Sequence, residues 1–127
     1  MKQFNYQTGK LGEEIGRQFL QKKGYQILQS NFQTRFGEID LIASKNQRLI
    51  FVEIKLKIGQ QWGRPEEMIN KNKILQIQKT ALSFLQNNPQ LAQKNPLYQI
   101  DAICIVCNQD GRPTIINHYE NIGDELA

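Results

Sequence analysis

The chain has 127 residues, 39% of them hydrophobic, and 16 basic against 12 acidic residues leave a net charge of +4. This length predicts one domain over residues 1–127, able to remove roughly two-thirds of its unfolded surface from water. No apolar run approaches the roughly 18 residues of a membrane span, and the first ten residues lack the apolar segment of a secretory signal, so a cytoplasmic protein with no membrane partner is expected.

The hydrophobic pattern predicts a helix followed by three strands in the first half of the chain. Leu11, Ile15 and Phe19 recur at helical spacing within about Gly9–Lys23, and Gly24 stands where a helix C-cap is expected. Three short runs rich in β-branched and aromatic residues follow, and they predict strands at residues 25–32, 37–44 and 48–58.

The second half predicts one more long helix and two more strands. Asn70 can cap a helix whose apolar residues repeat at helical spacing until Asn87, and a polar loop containing Pro96 follows. Strands are then predicted at residues 97–107 and 113–119. The chain therefore predicts an α/β domain with the element order αβββαββ.

Cys104 and Cys107 form a C-x-x-C sequence, which can indicate redox chemistry or a zinc site. They lie in the apolar run IDAICIV, and residues three apart on a strand face opposite sides. Two small side chains in a core strand are the favoured interpretation.

A hairpin predicted between Gly37 and Lys57 carries the strongest functional signal. A short turn at Lys45-Asn46 would pair Ser44 with Gln47 and fix the register of the two strands. One face of the hairpin is then a continuous apolar surface: Ile39, Leu41, Ala43, Ile50, Val52, Ile54 and Leu56. The other face carries the charged residues: Glu38, Asp40, Glu53, Lys55 and Lys57.

The same register places Asp40 diagonally across from Glu53, with about 7–8 Å between their backbones, a gap that two carboxylates can close. Two interpretations stay open on these residues. The charged face is either the solvated side of a sheet or a partly covered site, and Ile42 and Phe51 on that face favour the second. In a covered site, two carboxylates about 5 Å apart repel by roughly 3 kcal/mol at an effective dielectric of about 20, and Mg²⁺ or Mn²⁺ would remove that penalty.

Asp40, twelve intervening residues and then Glu53-Ile54-Lys55 form a D…E-x-K arrangement. This arrangement resembles the PD-(D/E)xK nuclease superfamily, and the chain resembles the small bacterial YraN family within it. The resemblance runs through most of the chain, in the segments GKLGEEIGRQFLQKKGY, NFQTRFGEIDLIA, FVEIKLK, GRPEEMINKNK and YQIDAICIV. It implies a restriction-endonuclease-like fold, in which helices flank a central mixed sheet.

The resemblance also implies roles for four catalytic residues. Asp40 and Glu53 would bind the metal ion, and Lys55 would position or activate the attacking water. Glu13 would be a further metal ligand, because it matches the family's G-E-x-x-[small] segment. Helical geometry permits this role, since Glu13 falls at the edge of the buried helix face while Glu14 points further out. An ordinary acidic residue in the first turn of a helix is the alternative for Glu13.

Two residues depart from the family pattern. Lys57 stands where an arginine is usual after E-x-K, and Gln99 stands where an arginine often precedes the late aspartate, here Asp101. Lysine keeps the charge without the bidentate fork and glutamine loses the charge, so both weaken phosphate clamping. Asp101 is either an accessory site residue or a structural acid, with the structural role favoured. Gln78 is either a site residue or a hydrogen-bonded buried amide, with the amide favoured.

Basic residues between Lys55 and Lys79 outnumber acidic ones by four, which equals the charge surplus of the whole chain. The residues expected to contact nucleic acid are Lys57, Arg64, Lys71 and Lys73, with Trp62 as a stacking ring. A solvated basic helix start is the alternative for this group. His118, the only histidine, is expected at the surface or on an edge strand.

The residues and the resemblance together predict a Mg²⁺- or Mn²⁺-dependent endonuclease that hydrolyses phosphodiesters in DNA. Junction resolvases share the fold that the resemblance implies, so branched or structured DNA is an expected substrate by analogy, and DNA is favoured over RNA. The rival prediction is a non-catalytic nucleic-acid-binding module, or a subunit of a DNA repair or recombination assembly. A homodimer stays open, because related resolvases work as pairs but no patch in the sequence can be read as an interface.

Overall fold

The computed structural model describes residues 2–59 and 63–123, with side chains from residue 8 onward, so Trp62 lies outside the described residues. The elements in chain order are α1 (Lys2–Lys22), β1 (Gln26–Thr34), β2 (Gly37–Lys45), β3 (Arg48–Ile58), a 3₁₀ turn (Pro65–Met68), α2 (Lys71–Asn87), α3 (Pro89–Lys94), β4 (Leu97–Cys107) and β5 (Pro113–Tyr119). Within these described ranges, no helix is long and apolar enough to cross a membrane.

The predicted order αβββαββ is confirmed for the long elements, and β4 and β5 have the predicted bounds. The 3₁₀ turn and α3 lie where the sequence predicts loops. Each has a proline at its start, where the fixed φ of that residue suits a helix. α1 begins at Lys2, before the apolar repeat on which its prediction rests.

Five strands form one mixed sheet in the order β1-β2-β3-β4-β5. Neighbouring strands are antiparallel except β3 and β4, which run parallel because α2 and α3 return the chain between them. α1 packs against one face of the sheet and α2 against the other. The predicted central mixed sheet flanked by helices is therefore confirmed.

The sheet separates two hydrophobic cores. The core under α1 contains these buried residues: Leu20, Tyr25, Leu41, Ala43, Ile50, Val52, Ile54, Ile103, Ile105 and Cys107. The core under α2 contains these: Ile39, Ile42, Leu49, Phe51, Ile77, Ala81, Phe84 and Ile100. Because both faces of β2 and β3 are covered, polar side chains on these strands need partners inside the protein.

α1 approaches the sheet closely through two glycines, Gly12 and Gly16. A Cβ atom on Gly16 would lie only 2.7 Å from Cδ1 of Ile54, and one on Gly12 would lie 3.3 Å from Cγ2 of the same residue. The helix can therefore lie directly on β3. This contact holds Glu13, the residue after Gly12, at the edge of the sheet near the predicted site.

The β2–β3 hairpin has a different register from the predicted one. Its turn is Asn46-Gln47, so Lys45 pairs with Arg48 and Ser44 pairs with Leu49 instead of Gln47. Both turn residues have positive φ, 52° and 62°, as tight two-residue hairpin turns require. The prediction placed Asn46 second in the turn, whereas the structure has it first. The error is two residues, which preserves the face of each side chain.

The two strands of the hairpin stop pairing just before the predicted site. The last β2–β3 pair is Leu41 with Val52, whereas β2 stays paired to β1 up to its first residue and β3 stays paired to β4 up to its last. The sheet therefore splits between β2 and β3. Continued by one step, the observed register sets Asp40 directly opposite Glu53, rather than diagonal to it as predicted.

Ile39 lies on the opposite side of the sheet from its prediction. It packs in the core under α2 with Ile42, while Leu41 packs in the core under α1. The alternation breaks at Asp40, which lies across from Asn31, and Asn31 has a φ of 54°. The left-handed conformation of Asn31 interrupts β1 at this point, next to the residue of β2 where the faces change, and simple alternation therefore assigned Ile39 to the wrong face.

Candidate active site

The split between β2 and β3 opens a cleft of about 600 Å³ that extends to α1 and to the 3₁₀ turn. Three of the four predicted catalytic residues line it: Glu13, Asp40 and Lys55. The fourth, Glu53, is buried, with 3% of its surface exposed, and is linked to the cleft through Asp40 and Lys55. The fold therefore brings the D…E-x-K residues together.

Asp40 bridges the gap that the split leaves in the sheet. Its Oδ2 accepts a hydrogen bond from the backbone N–H of Ile54 at 2.7 Å. The pKa of Asp40 is raised to about 8, most strongly by burial and then by the negative charge of Glu53 and a hydrogen bond to Glu53, while the Ile54 N–H and the Lys55 charge oppose the rise. Without a cation, Asp40 therefore keeps its proton at neutral pH, beside the carboxyl group of Glu53.

Glu53 lies between two ammonium groups. Its Oε1 is 3.8 Å from Nζ of Lys55, and its Oε2 is 3.4 Å from Nζ of Lys73. The buried Oε2 has no hydrogen-bond donor among the described residues. A buried carboxylate oxygen without a donor, beside a second carboxylate, is a suitable ligand for a hard divalent cation such as Mg²⁺ or Mn²⁺.

Glu13 lines the cleft from α1, and both of its carboxylate oxygens already have partners. Oε1 accepts from Arg17 at 3.0 Å, and Oε2 accepts from Asn31 at 2.8 Å. Asn31 is the residue across from Asp40 at the irregular point of the sheet. Glu13 therefore reaches the Asp40 region through Asn31, and its place as a direct metal ligand stays a prediction.

The predicted nucleic-acid residues lie on β3, just before the 3₁₀ turn and in the first turn of α2. Lys57 lies two residues beyond Lys55, on the same face of β3. Arg64 is exposed and its Nη2 lies 3.4 Å from Oε2 of Glu66, while Lys71 is exposed at the start of α2. Lys73 differs from the others, because it forms an ion pair with the buried Glu53. No local pattern indicates this contact, because Lys73 and Glu53 are 20 positions apart and lie on different elements.

A second group of ionisable residues lies at the far edge of the sheet. Asp101, His118 and Glu120 are the only three described His, Cys, Asp or Glu residues whose potential ligand atoms lie within 4.8 Å of one another. Asp101 is fully buried and accepts hydrogen bonds from Gln99 at 2.8 Å, from the Asn121 N–H at 3.0 Å and from His118 at 2.7 Å. These protein donors satisfy both oxygens, which favours the structural role predicted for Asp101.

His118 lies on the edge strand β5, as expected, but its side chain is 4% exposed and not at the surface. Nε2 donates to Asp101, and Nδ1 accepts from Nζ of Lys23 at 2.8 Å. A sequence-based prediction missed this burial because both partners are far away in the chain. Gln78 donates to the carbonyl of Gly123 at 3.4 Å, in agreement with a hydrogen-bonded amide.

Cys104 and Cys107 are both free and buried. Burial raises the pKa of the Cys104 thiol to about 12, and it raises the pKa of Cys107 as well. Neither thiol is activated for redox or nucleophilic chemistry, so the interpretation of two core side chains holds.

The protein has a mixed sheet between two helical layers, and the sheet splits where β2 carries Asp40 and β3 carries Glu53 and Lys55. This architecture is that of a restriction-endonuclease-like protein. The chain matches the Uncharacterised protein family UPF0102 over residues 12–105, and it belongs to that family, which is the YraN family of the sequence prediction.

Relatives of this family match nearly the whole chain. A UPF0102 protein of Syntrophomonas wolfei is 38% identical over 92% of this chain and 97% of its own length. Those of Caldicellulosiruptor bescii and Fervidobacterium nodosum are 39% and 38% identical, over 87% and 94% of this chain and 92% and 84% of their own lengths. The names of these relatives state the family and no activity.

Proposed function

We propose that this protein is a metal-dependent endonuclease that hydrolyses phosphodiesters in DNA. The observation that carries the proposal is the pair of carboxyl groups of Asp40 and Glu53, buried side by side at an open cleft. Burying two like charges destabilises a fold, and such pairs are typical of functional sites. Lys55, with its Nζ 3.8 Å from Oε1 of Glu53, completes the chemistry expected of D…E-x-K.

Asp40 and Glu53 would hold one Mg²⁺ or Mn²⁺ ion. When bound, such an ion polarises a phosphate and lowers the pKa of a coordinated water. The residues fit it because both carboxylates offer hard oxygen atoms and because Oε2 of Glu53 has no hydrogen-bond donor among the described residues.

The remaining cleft residues would bind and orient the attacking water and the phosphate. The ammonium group of Lys55 lies beside Glu53, where it can hold an attacking water or a phosphate oxygen. Glu13, whose carboxylate oxygens accept from Arg17 and Asn31, would be a further ligand to the ion or to a water that the ion holds. Magnesium sites commonly keep several waters, so this arrangement is chemically ordinary.

Basic residues around the site support nucleic acid as the partner. Lys57 extends the line of Lys55 along β3, and Lys71 and Arg64 are exposed near the start of α2. Contacts of this kind bind the phosphate backbone and carry no sequence information. We propose DNA, and branched or structured DNA in particular, as the substrate by analogy with junction resolvases.

The test is cleavage of labelled branched, nicked and single-stranded DNA in Mg²⁺ or Mn²⁺. We expect the parent protein to cut at least one of them, and Asp40→Asn and Glu53→Gln to lose at least a hundredfold in rate, since loss of one metal ligand removes Lewis-acid catalysis. Glu14→Gln is the matched control, because Glu14 is an exposed acid next to the site that bonds only Gln18 among the described contacts.

Two outcomes would overturn the proposal. One is a parent protein that binds DNA but cuts none of the substrates with either metal, which would favour the non-catalytic binding module. The other is cleavage that survives in Asp40→Asn and Glu53→Gln at the parent rate, which would assign the activity to other residues or to a contaminant.

A further inference from the structure

Lys73 reaches the carboxylate pair from α2, on the opposite side of the site from α1. Its Nζ lies 3.4 Å from Oε2 of Glu53, and only 26% of its side chain is exposed. Its backbone N–H donates to Oδ1 of the N-cap residue Asn70 at 2.9 Å. The cap fixes the first turn of α2, so the start of the Lys73 side chain is held in place.

The ammonium group of Lys73 lies beside Oε2 of Glu53, the oxygen of the carboxylate pair that is buried without a hydrogen-bond donor among the described residues. The ammonium group of Lys55 is the ion-pair partner of Oε1, the other oxygen of Glu53, and Oδ2 of Asp40 accepts a hydrogen bond from the Ile54 N–H. Oε2 is the oxygen of Glu53 that suits a divalent ion best, because the ion would displace no hydrogen-bond donor among the described residues. Since like charges in a site of low dielectric repel strongly, the ammonium and the ion would compete for it.

We propose that Lys73 is the resident counter-ion of Glu53, that a divalent cation displaces it, and that the released ammonium then binds a phosphate of the nucleic acid. This rests on the proposed function, because the metal and the DNA are those of the same site. Lysine suits the role, since its ammonium is a compact charge on a flexible four-carbon stem.

Displacement of Lys73 from Glu53 would couple the binding of the cation to the binding of DNA. Without DNA, Lys73 weakens cation binding, because the ion must replace an existing ion pair. With the cation bound, Lys73 is available to phosphate, so the cation raises DNA affinity by more than its own contacts do. Linkage is reciprocal, and DNA must raise cation affinity by the same factor.

The experiment compares Lys73→Met with Lys71→Met. Lys71 is the matched control, because it is an exposed lysine two residues earlier in the same helix. Calorimetry gives the Mn²⁺ affinity of each full-length protein without DNA. Fluorescence anisotropy gives the affinity for a 20-nucleotide phosphorothioate duplex, which resists hydrolysis, with and without Mn²⁺.

We expect Lys73→Met to bind Mn²⁺ about five- to tenfold more tightly than the parent in the absence of DNA, as removal of a nearby positive charge requires. The factor by which Mn²⁺ raises DNA affinity should fall at least fivefold in Lys73→Met. Lys71→Met should keep the parent Mn²⁺ affinity and weaken DNA binding equally with and without Mn²⁺.

A purely structural ion pair predicts the opposite direction for the metal, because a disturbed site binds it more weakly. An Mn²⁺ affinity in Lys73→Met that equals or falls below that of the parent overturns the proposal, as does an unchanged effect of Mn²⁺ on DNA binding. If Lys73→Met does not fold, Lys73→Gln carries the same expectations, since its amide can still donate to Glu53 without a charge.

The outcomes separate this proposal from the proposed function. A parent protein that shows the linkage but cuts no DNA refutes the nuclease and keeps the role of Lys73. A parent protein that cuts DNA, with Lys73→Met matching its Mn²⁺ affinity, refutes the role of Lys73 alone. No Mn²⁺ binding by the parent refutes both.

Discussion

Replacing Asp40 with asparagine should stabilise the metal-free protein. The pKa of Asp40 is about 8 in the folded chain against 3.8 for an ordinary aspartate. Between these values the folded chain holds the proton that the unfolded chain has released, so the stabilising effect of the neutral form is fully present below pH 3.8 and is lost as pH rises through 8. Asparagine resembles the protonated form, because its amide can donate to Glu53 while its oxygen accepts from the Ile54 N–H.

The magnitude follows from the same pKa. A pH of 7 is about three units above the pKa of the Asp40 carboxyl group in the unfolded chain, and each unit corresponds to about 1.4 kcal/mol. The free energy of unfolding that Asp40 costs the parent therefore has a ceiling of about 4 kcal/mol. Because the cleft admits water, we expect about half of that ceiling, roughly 2 kcal/mol, as the gain in Asp40→Asn.

Urea unfolding in EDTA at pH 5 and pH 8 measures the effect. We expect Asp40→Asn to exceed the parent in free energy of unfolding by about 2–3 kcal/mol at pH 8, somewhat more than at pH 7, and by clearly less at pH 5, where Asp40 of the parent keeps its proton. Asp110→Asn, the same change in an exposed turn, is the control and should have little effect. A variant that is less stable than the parent at pH 8, or a gain that is equal at both pH values, would refute the reasoning.

Three further predictions concern the scaffold and the nucleic-acid surface. Asp101→Ala should cost about 3 kcal/mol in urea unfolding, because it leaves buried donors without an acceptor, yet it should leave Mn²⁺ affinity unchanged if the acid is structural. Gly37→Ala should cost about 1–2 kcal/mol, since Gly37 has a φ of 152° and a Cβ would lie 2.6 Å from the Gln76 side chain, whereas Gly9→Ala, with no atom within 4 Å, should be neutral or stabilising. Lys71→Ala should reduce the slope of log K against log salt for DNA binding by about 0.9, and an unchanged slope would remove Lys71 from the phosphate contacts.

Local patterns were sufficient to predict the elements of this fold. The apolar repeat of α1, the Asn70 cap and the long runs of β4 and β5 are each contained within one segment, and the structure has them where they were predicted. The 3₁₀ turn and α3 were missed because both are too short to show a helical repeat.

The proximity of Asp40, Glu53 and Lys55 was predicted from the sequence, but the details of their arrangement were not. The predicted hairpin brought Asp40 and Glu53 near each other, as the structure does, although its turn was placed one residue too early. The pairing of the strands was therefore wrong by two residues, and an even shift preserves the faces of a strand. The side of the sheet that Ile39 faces depends on how β2 separates from β3, and no local sequence pattern predicts that separation. The ion pair of Lys73 and the burial of His118 depend on distant elements packing together, so only the folded structure reveals them.

The most direct test of the metal site is the anomalous diffraction of a crystal grown with Mn²⁺, measured near the manganese absorption edge. We predict one strong peak within bonding distance of an oxygen of Asp40 and of Oε2 of Glu53, with the Lys73 ammonium displaced from that oxygen. A peak at Asp101, His118 and Glu120 with none between Asp40 and Glu53 would contradict the account.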